Sequence, residues 1–303
     1  MHIYFGIIAA LISAMTFALN VTLVPIAYDS GANIHAVNFV RPVAFLVCML
    51  VAVKAAGVSL RLPSSGRNAA MGLGLLMCLE LYALLGAIQF IPVALAILTL
   101  YLYPLLIACV EHLLGRTRIG LVRGAAMLIT FLGLFLVFNA PLESPDWRGM
   151  VLALGAAFGL AAMVWCSEHV LKPHDHRVVM CWMVGATSVI VTAVVHIGQI
   201  ELTWPNSDDG WWALIASAIC YILATFLLFK AVAWIGPLRT GVMDTSAPVW
   251  ALFFGWLLLD QSLTKIQFVG ALLVVSGITV IQWRSGRKAG QANEQSPSDS
   301  AGT

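Results

Sequence analysis

At 303 residues, with 61% hydrophobic and only 10% charged side chains and a formal net charge of +2, the chain is far from a soluble domain, which is about half apolar and about one-quarter charged. That composition excludes a soluble enzyme and describes a chain whose solvent is mostly lipid. No nucleic-acid partner is expected, and no stretch is left over for a separate soluble domain.

A helix that crosses the hydrocarbon needs about 20 apolar residues, and ten such runs follow one another near 3–25, 35–57, 68–90, 92–114, 120–139, 147–170, 177–199, 211–234, 238–259 and 265–283. Only Met1 and His2 precede the first run. A removable signal peptide wants a basic segment there, so the run reads as a true span. It carries Gly6, Ala10, Ala14 and Ala18 at every fourth position, and the sixth run repeats the stripe with Gly149, Ala153, Ala157 and Ala161. Small residues four apart let membrane helices approach backbone to backbone, although alanine and glycine are also simply common in such helices.

The second run holds Arg41 toward its outer end, and the third holds Glu80 near its middle with Tyr82 beside it. Tyr101 and Tyr103 flank Pro104 in the fourth run, where a proline kink opens local space. Trp165 lies on the sixth run, Lys230 near the inner end of the eighth, and Asp244, Pro248 and Trp250 on the ninth. Beyond the tenth run, residues 285–303 are rich in Gly, Ser and Gln and have the composition of a disordered tail.

Landmarks in the stretch 91–133 recur 144 residues later: Ile91, Pro104 and Gly133 are answered by Ile235, Pro248 and Gly277. The expected fold is therefore an all-α membrane protein of two repeats, 1–140 and 141–284, each with five transmembrane helices. Because five is odd, the second repeat enters the membrane upside down, and paired helix interruptions in the two halves place a binding site between them.

Lysine and arginine set the orientation. Lys54, Arg61, Arg67, Arg116, Arg118, Arg123, Lys172, Arg177, Arg239, Arg284, Arg287 and Lys288 fall on one side, against Arg148 and Lys265 on the other. Both termini are thus expected in the cytoplasm, with the loops at 143–146 and 201–209 outside.

Inside the membrane a charge costs about 2.5–3.5 kcal/mol on insertion scales and usually faces a cavity or a partner. By depth, Arg41 is expected to pair with Glu80, and Lys230 with Asp244. These read either as two structural ion pairs that fix helix register or as transport groups. Tyr82, Tyr101, Tyr103, Trp165 and Trp250 are candidate cavity walls, although many such aromatics are packing residues or headgroup anchors. Glu111 with His112, and Glu168 with His169, fall at span ends beside basic residues and read as interfacial.

All six cysteines fall inside spans, where they behave as small hydrophobes, and no disulfide framework is expected. His174 with His176, and Cys166 with His169, fall short of a four-ligand metal set. No phosphate loop, nucleophile elbow or His-Glu-x-x-His pair is present, so neither an ATP-driven pump nor a catalytic role is expected, and no cofactor.

The repeated Pro-to-Gly spacing, the segment VNFVRP around Arg41 and the helix-ending WLLLDQSLT at 256–264 resemble the drug/metabolite transporter superfamily, specifically its ten-span bacterial members with two EamA repeats. The chain departs from that pattern where Asp260 and Gln261 replace the usual Gly and Glu, and where Arg116 rather than Glu follows Gly115. The resemblance implies a small-molecule permease of the bacterial inner membrane, monomeric or homodimeric. Its central cavity would be lined mainly by spans 1, 3, 4, 6, 8 and 9. The function expected is alternating-access export of amino acids, metabolites or toxic compounds, with Glu80 the best-placed group for proton coupling. Uptake is the alternative within transport, a membrane-embedded enzyme of lipid or sugar metabolism the alternative outside it, and a structural partner subunit a third reading.

Overall fold

The computed structural model describes residues 2–87, 89–91, 93–116, 120–138, 146–259 and 264–294. Arg118, residues 143–145 of the loop expected outside, the expected repeat boundary at 140–141, Asp260, Gln261 and the chain from 295 lie outside the described residues, as do the side chains of Arg123, Arg284, Arg287 and Lys288.

Every element among the described residues is helical: α1 His2–Asp29, α2 Ile34–Ala55, α3 Ser64–Ala87, α4 Val93–Leu100, α5 Tyr103–Leu113, α6 Leu121–Phe138, α7 Trp147–Leu171, α8 His176–Ile197, α9 Asp208–Ile235, α10 Pro237–Asp244, α11 Ala247–Leu259 and α12 Lys265–Glu294. Among the described residues eight apolar stretches are long enough to cross a membrane, and Gly124–Phe138 and Lys265–Val280 are shorter apolar helices. α12 is helical to Glu294, past the point where the sequence reads as tail. Its Ala, Gln, Arg, Lys and Glu residues there are good helix formers.

The fourth and ninth spans, each expected as one helix with an internal proline, are each broken in two. α4 gives way to α5 at Tyr101–Leu102, and α10 to α11 at Thr245–Ser246. Pro104 and Pro248 offer no N–H to the carbonyls of Leu100 and Asp244, four residues earlier. The backbone tightens instead, with Leu102 N–H donating to Thr99 O at 3.1 Å and Ser246 N–H to Met243 O at 3.0 Å. Pro25 and Pro42, by contrast, sit within unbroken helices.

Small residues decide which helices meet. Ala10, Ala14 and Ala18 are buried as α1 packs along α9, and a side chain at Gly6 would collide with Ile235. Likewise Ala153, Ala157 and Ala161 are buried as α7 packs along α3, and a Cβ at Gly149 would come within 2.7 Å of Ile91. α6 and α12 touch backbone to backbone, since a Cβ on Gly133 would lie 2.7 Å from Gly270 O and 2.8 Å from Val274 N.

Turns tie the two ends of the bundle by different means. At one end, Asn206 N–H donates to Ser30 O at 2.7 Å, Ser207 Oγ donates to Ser30 Oγ at 3.0 Å and Asn33 Nδ2 donates to Glu201 O at 2.8 Å. Gly31, at φ +100°, turns this loop beneath Asn206, where a side chain would not fit. At the other end Arg116 reaches Glu168 at 3.8 Å and His169 Nε2 at 2.9 Å, and Lys172 meets Glu168 at 2.7 Å.

Candidate substrate cavity

A cavity of about 110 Å³ lies among α1, α3, α4, α5, α7, α9 and α10, several times the roughly 10–15 Å³ that admits one water. α3 brings Glu80 to its wall and α10 brings Asp244; Tyr101 and Tyr103 come from the break after α4, and Tyr221 from α9. Leu100 and Asp244, the residues whose carbonyls lose a proline partner, both line it. Gly159 on α7 admits α3 closely here, a Cβ at that position lying 3.6 Å from Glu80 Cβ.

Asp244 accepts a hydrogen bond from the Tyr103 hydroxyl at 2.8 Å, and Tyr103 is the largest fully buried side chain, only 1% exposed. Glu80 has no hydrogen-bond or ion-pair partner among the described residues. It is half-buried and lines the cavity. Ser13 on α1 donates to Ala224 O on α9 at 2.8 Å, fixing the opposite wall.

Neither expected ion pair forms. Arg41 donates to Asn20 Oδ1 at 2.8 Å and to Asn38 Oδ1 at 3.4 Å, with its guanidinium 5.5 Å from the centre of the Tyr221 ring. Tyr221 shares the cavity wall with Glu80, and Arg41 is not on that wall. Depth along a helix sets the level of a side chain and not the direction in which it leaves the axis. α1, packed on α9, brings Asn20 to Arg41 from a side that no depth count reveals. Lys230 lies over two rings of its own helix, 5.6 Å from Phe226 and 5.0 Å from Trp234, while Asp244 is turned to Tyr103.

Of the aromatic candidates, Tyr101 and Tyr103 line the cavity, and Tyr82, Trp165 and Trp250 are absent from its wall. Trp165 lies under the Arg116 guanidinium at 5.2 Å and against His169 at 5.1 Å. Trp250 packs with Phe253 and Phe254 at 6.3 and 6.5 Å. Sequence reasoning passed over Asn20, Tyr221, Ser13 and Thr225. All are polar groups in the middle of otherwise apolar spans, and that alone was the signal.

A bundle of many apolar helices, two of them broken beside a cavity that holds two carboxylates, is the architecture of a multi-pass membrane protein. Residues 147–283 match the EamA-like transporter family. The Synechocystis sp. protein named "Uncharacterized transporter sll1319" is 26% identical over 225 residues, covering 71% of this chain and 66% of that one. The Drosophila melanogaster "Solute carrier family 35 member B1 homolog" is 25% identical over 225 residues, covering 70% and 66%. The Bacillus subtilis "Uncharacterized transporter YoaV" is 23% identical over 198 residues, covering 63% and 66%. The matches thus span just under two thirds of these relatives' lengths. A solved crystal structure shares the fold at a TM-score of 0.75 and 22% identity, over 90% of this chain and 96% of that one.

Proposed function

We propose that the protein is a secondary transporter that exports a small polar or amphipathic metabolite across the bacterial inner membrane by alternating access, exchanging it for protons at Glu80. One observation carries the reading: Glu80 stands without a partner on the wall of a central cavity to which both halves of the chain contribute. An intramembrane carboxylate left alone is costly, and a proton or a cargo molecule relieves that cost in turn. Arg41, held by Asn20 and Asn38, does not serve as the alternate partner.

In this proposal ten spans form two five-helix units of opposite orientation. Its support is reciprocal packing. α1 meets α9 as α7 meets α3, Gly6 faces Ile235 as Gly149 faces Ile91, and α2 with α8 and α6 with α12 pair across the centre. Alternating access then follows from rocking one unit against the other about a fixed site.

Proteoliposomes test the coupling. An imposed pH gradient is expected to drive accumulation by the wild type, whereas Glu80→Gln retains only gradient-independent exchange. Wild-type transport indifferent to the pH gradient would overturn the proton role.

A further inference from the structure

Resting on that reading of the cavity, we propose that the cargo is an organic cation: a protonated amine on a small apolar or aromatic body, chosen over zwitterions and anions. The charged residues of the cavity wall are both carboxylates, Glu80 and Asp244, and no lysine, arginine or histidine joins them among the described residues. Glu80 has no partner and Asp244 has only a neutral hydroxyl.

The two intramembrane cations are engaged elsewhere. Arg41 is bound by two amides and lies 5.5 Å from the centre of the Tyr221 ring, and Lys230 lies over Phe226 and Trp234. Neither is on the wall, so a cargo carboxylate would find no counter-charge there.

The backbone has the same sign. α4 and α10 end at Leu100 and Asp244, both on the wall, and helix C-termini carry partial negative charge that favours cations. Broken membrane helices present such ends to cations in transporter sites. Phe17, Tyr101, Tyr103, Tyr221 and Phe229 supply ring faces and apolar surface around the carboxylates, a setting that attracts an ammonium group.

Tyramine, tyrosine and 4-hydroxyphenylacetate share one phenol ring and differ in charge, so they separate charge selection from shape. With purified full-length protein, tyramine is expected to raise the melting temperature in detergent and to show counterflow in liposomes at least about tenfold faster than the other two, because like charges juxtaposed in a site are strongly disfavoured. Checked for folding by size exclusion, Asp244→Asn is expected to lose the tyramine shift, Glu80→Gln to keep a reduced shift in line with its residual exchange, and Glu80→Asp to keep more of it. Movement of tyrosine or the acid without tyramine would overturn the cation assignment and leave the transporter reading standing. A tyramine shift in detergent with no flux under any gradient would uphold the cation site and overturn the transporter reading. No shift with tyramine, agmatine or 1-methyl-4-phenylpyridinium would overturn the cation site itself.

Discussion

Arg41 shows what a buried charge does when no opposite charge is at hand: two asparagine carbonyls and an aromatic ring hold it. Removing a partner from a buried charged group costs more than the hydrogen bond was worth, because the group left behind stays desolvated. A double-mutant cycle on Asn20→Ala and Arg41→Met is therefore expected to give a coupling of about 0.5–3 kcal/mol, as for residues in contact. The same cycle on Arg41→Met and Glu80→Gln should be additive within about 0.5 kcal/mol. Denaturation of the purified protein measures both, and strong Arg41–Glu80 coupling would contradict the geometry. The four charges within apolar runs were legible in the sequence, and Glu80, Asp244, Tyr101 and Tyr103, singled out there, all line the cavity. Their partners were not, since pairing depends on the facing of helices that lie far apart in the chain, as Asn20 does from Arg41 and Tyr103 from Asp244.

Helix existence was plainly legible because long apolar runs leave little choice of structure in lipid, and α7 and α8 begin and end within two residues of their expected bounds. Packing partners were half legible. The stripes at Gly6 and Gly149 announced close approach without saying that α9 and α3 would provide it. The breaks after α4 and α10 were foreshadowed by Pro104 and Pro248, yet a proline inside a helix does not always divide it, as Pro25 and Pro42 show. Close backbone contact makes a sharp forecast for α6 and α12. Gly133→Ala would push a methyl into Gly270 O and Val274 N, backbone atoms that cannot step aside, and is expected to cost about 1–3 kcal/mol as overpacking. Gly72 has nothing within 4 Å of its Cβ position, so Gly72→Ala is expected to be neutral or to stabilise by up to about 1 kcal/mol through helix propensity. Thermal unfolding of the two variants side by side decides it, and equal melting points would refute the tight α6–α12 contact.

For the whole molecule, the lysine and arginine bias predicts that the Arg116 end faces the cytoplasm. In a background without the native cysteines, single cysteines at positions 61 and 172 are expected to label only from that side, and labelling from outside would reverse the orientation. The two tied ends respond differently to their surroundings. Amide and hydroxyl bonds at Ser30, Asn33 and Asn206 carry no net charge, whereas Arg116 and Glu168 meet as ions at 3.8 Å with the arginine 44% exposed. Ions in solution screen such a contact, over a distance that shrinks from about 8 Å at physiological strength to about 3 Å at 1 M. An exposed pair is worth about 0–1 kcal/mol, so its loss shifts an opening equilibrium by at most about fivefold. In the proposed transport cycle electrolyte biases which end opens: concentrated salt is expected to quicken labelling of Tyr103→Cys from the cytoplasmic side and leave its access from outside unchanged. In that cycle the amide-tied door stays latched in brine, and the ion-tied door is the one that brine loosens.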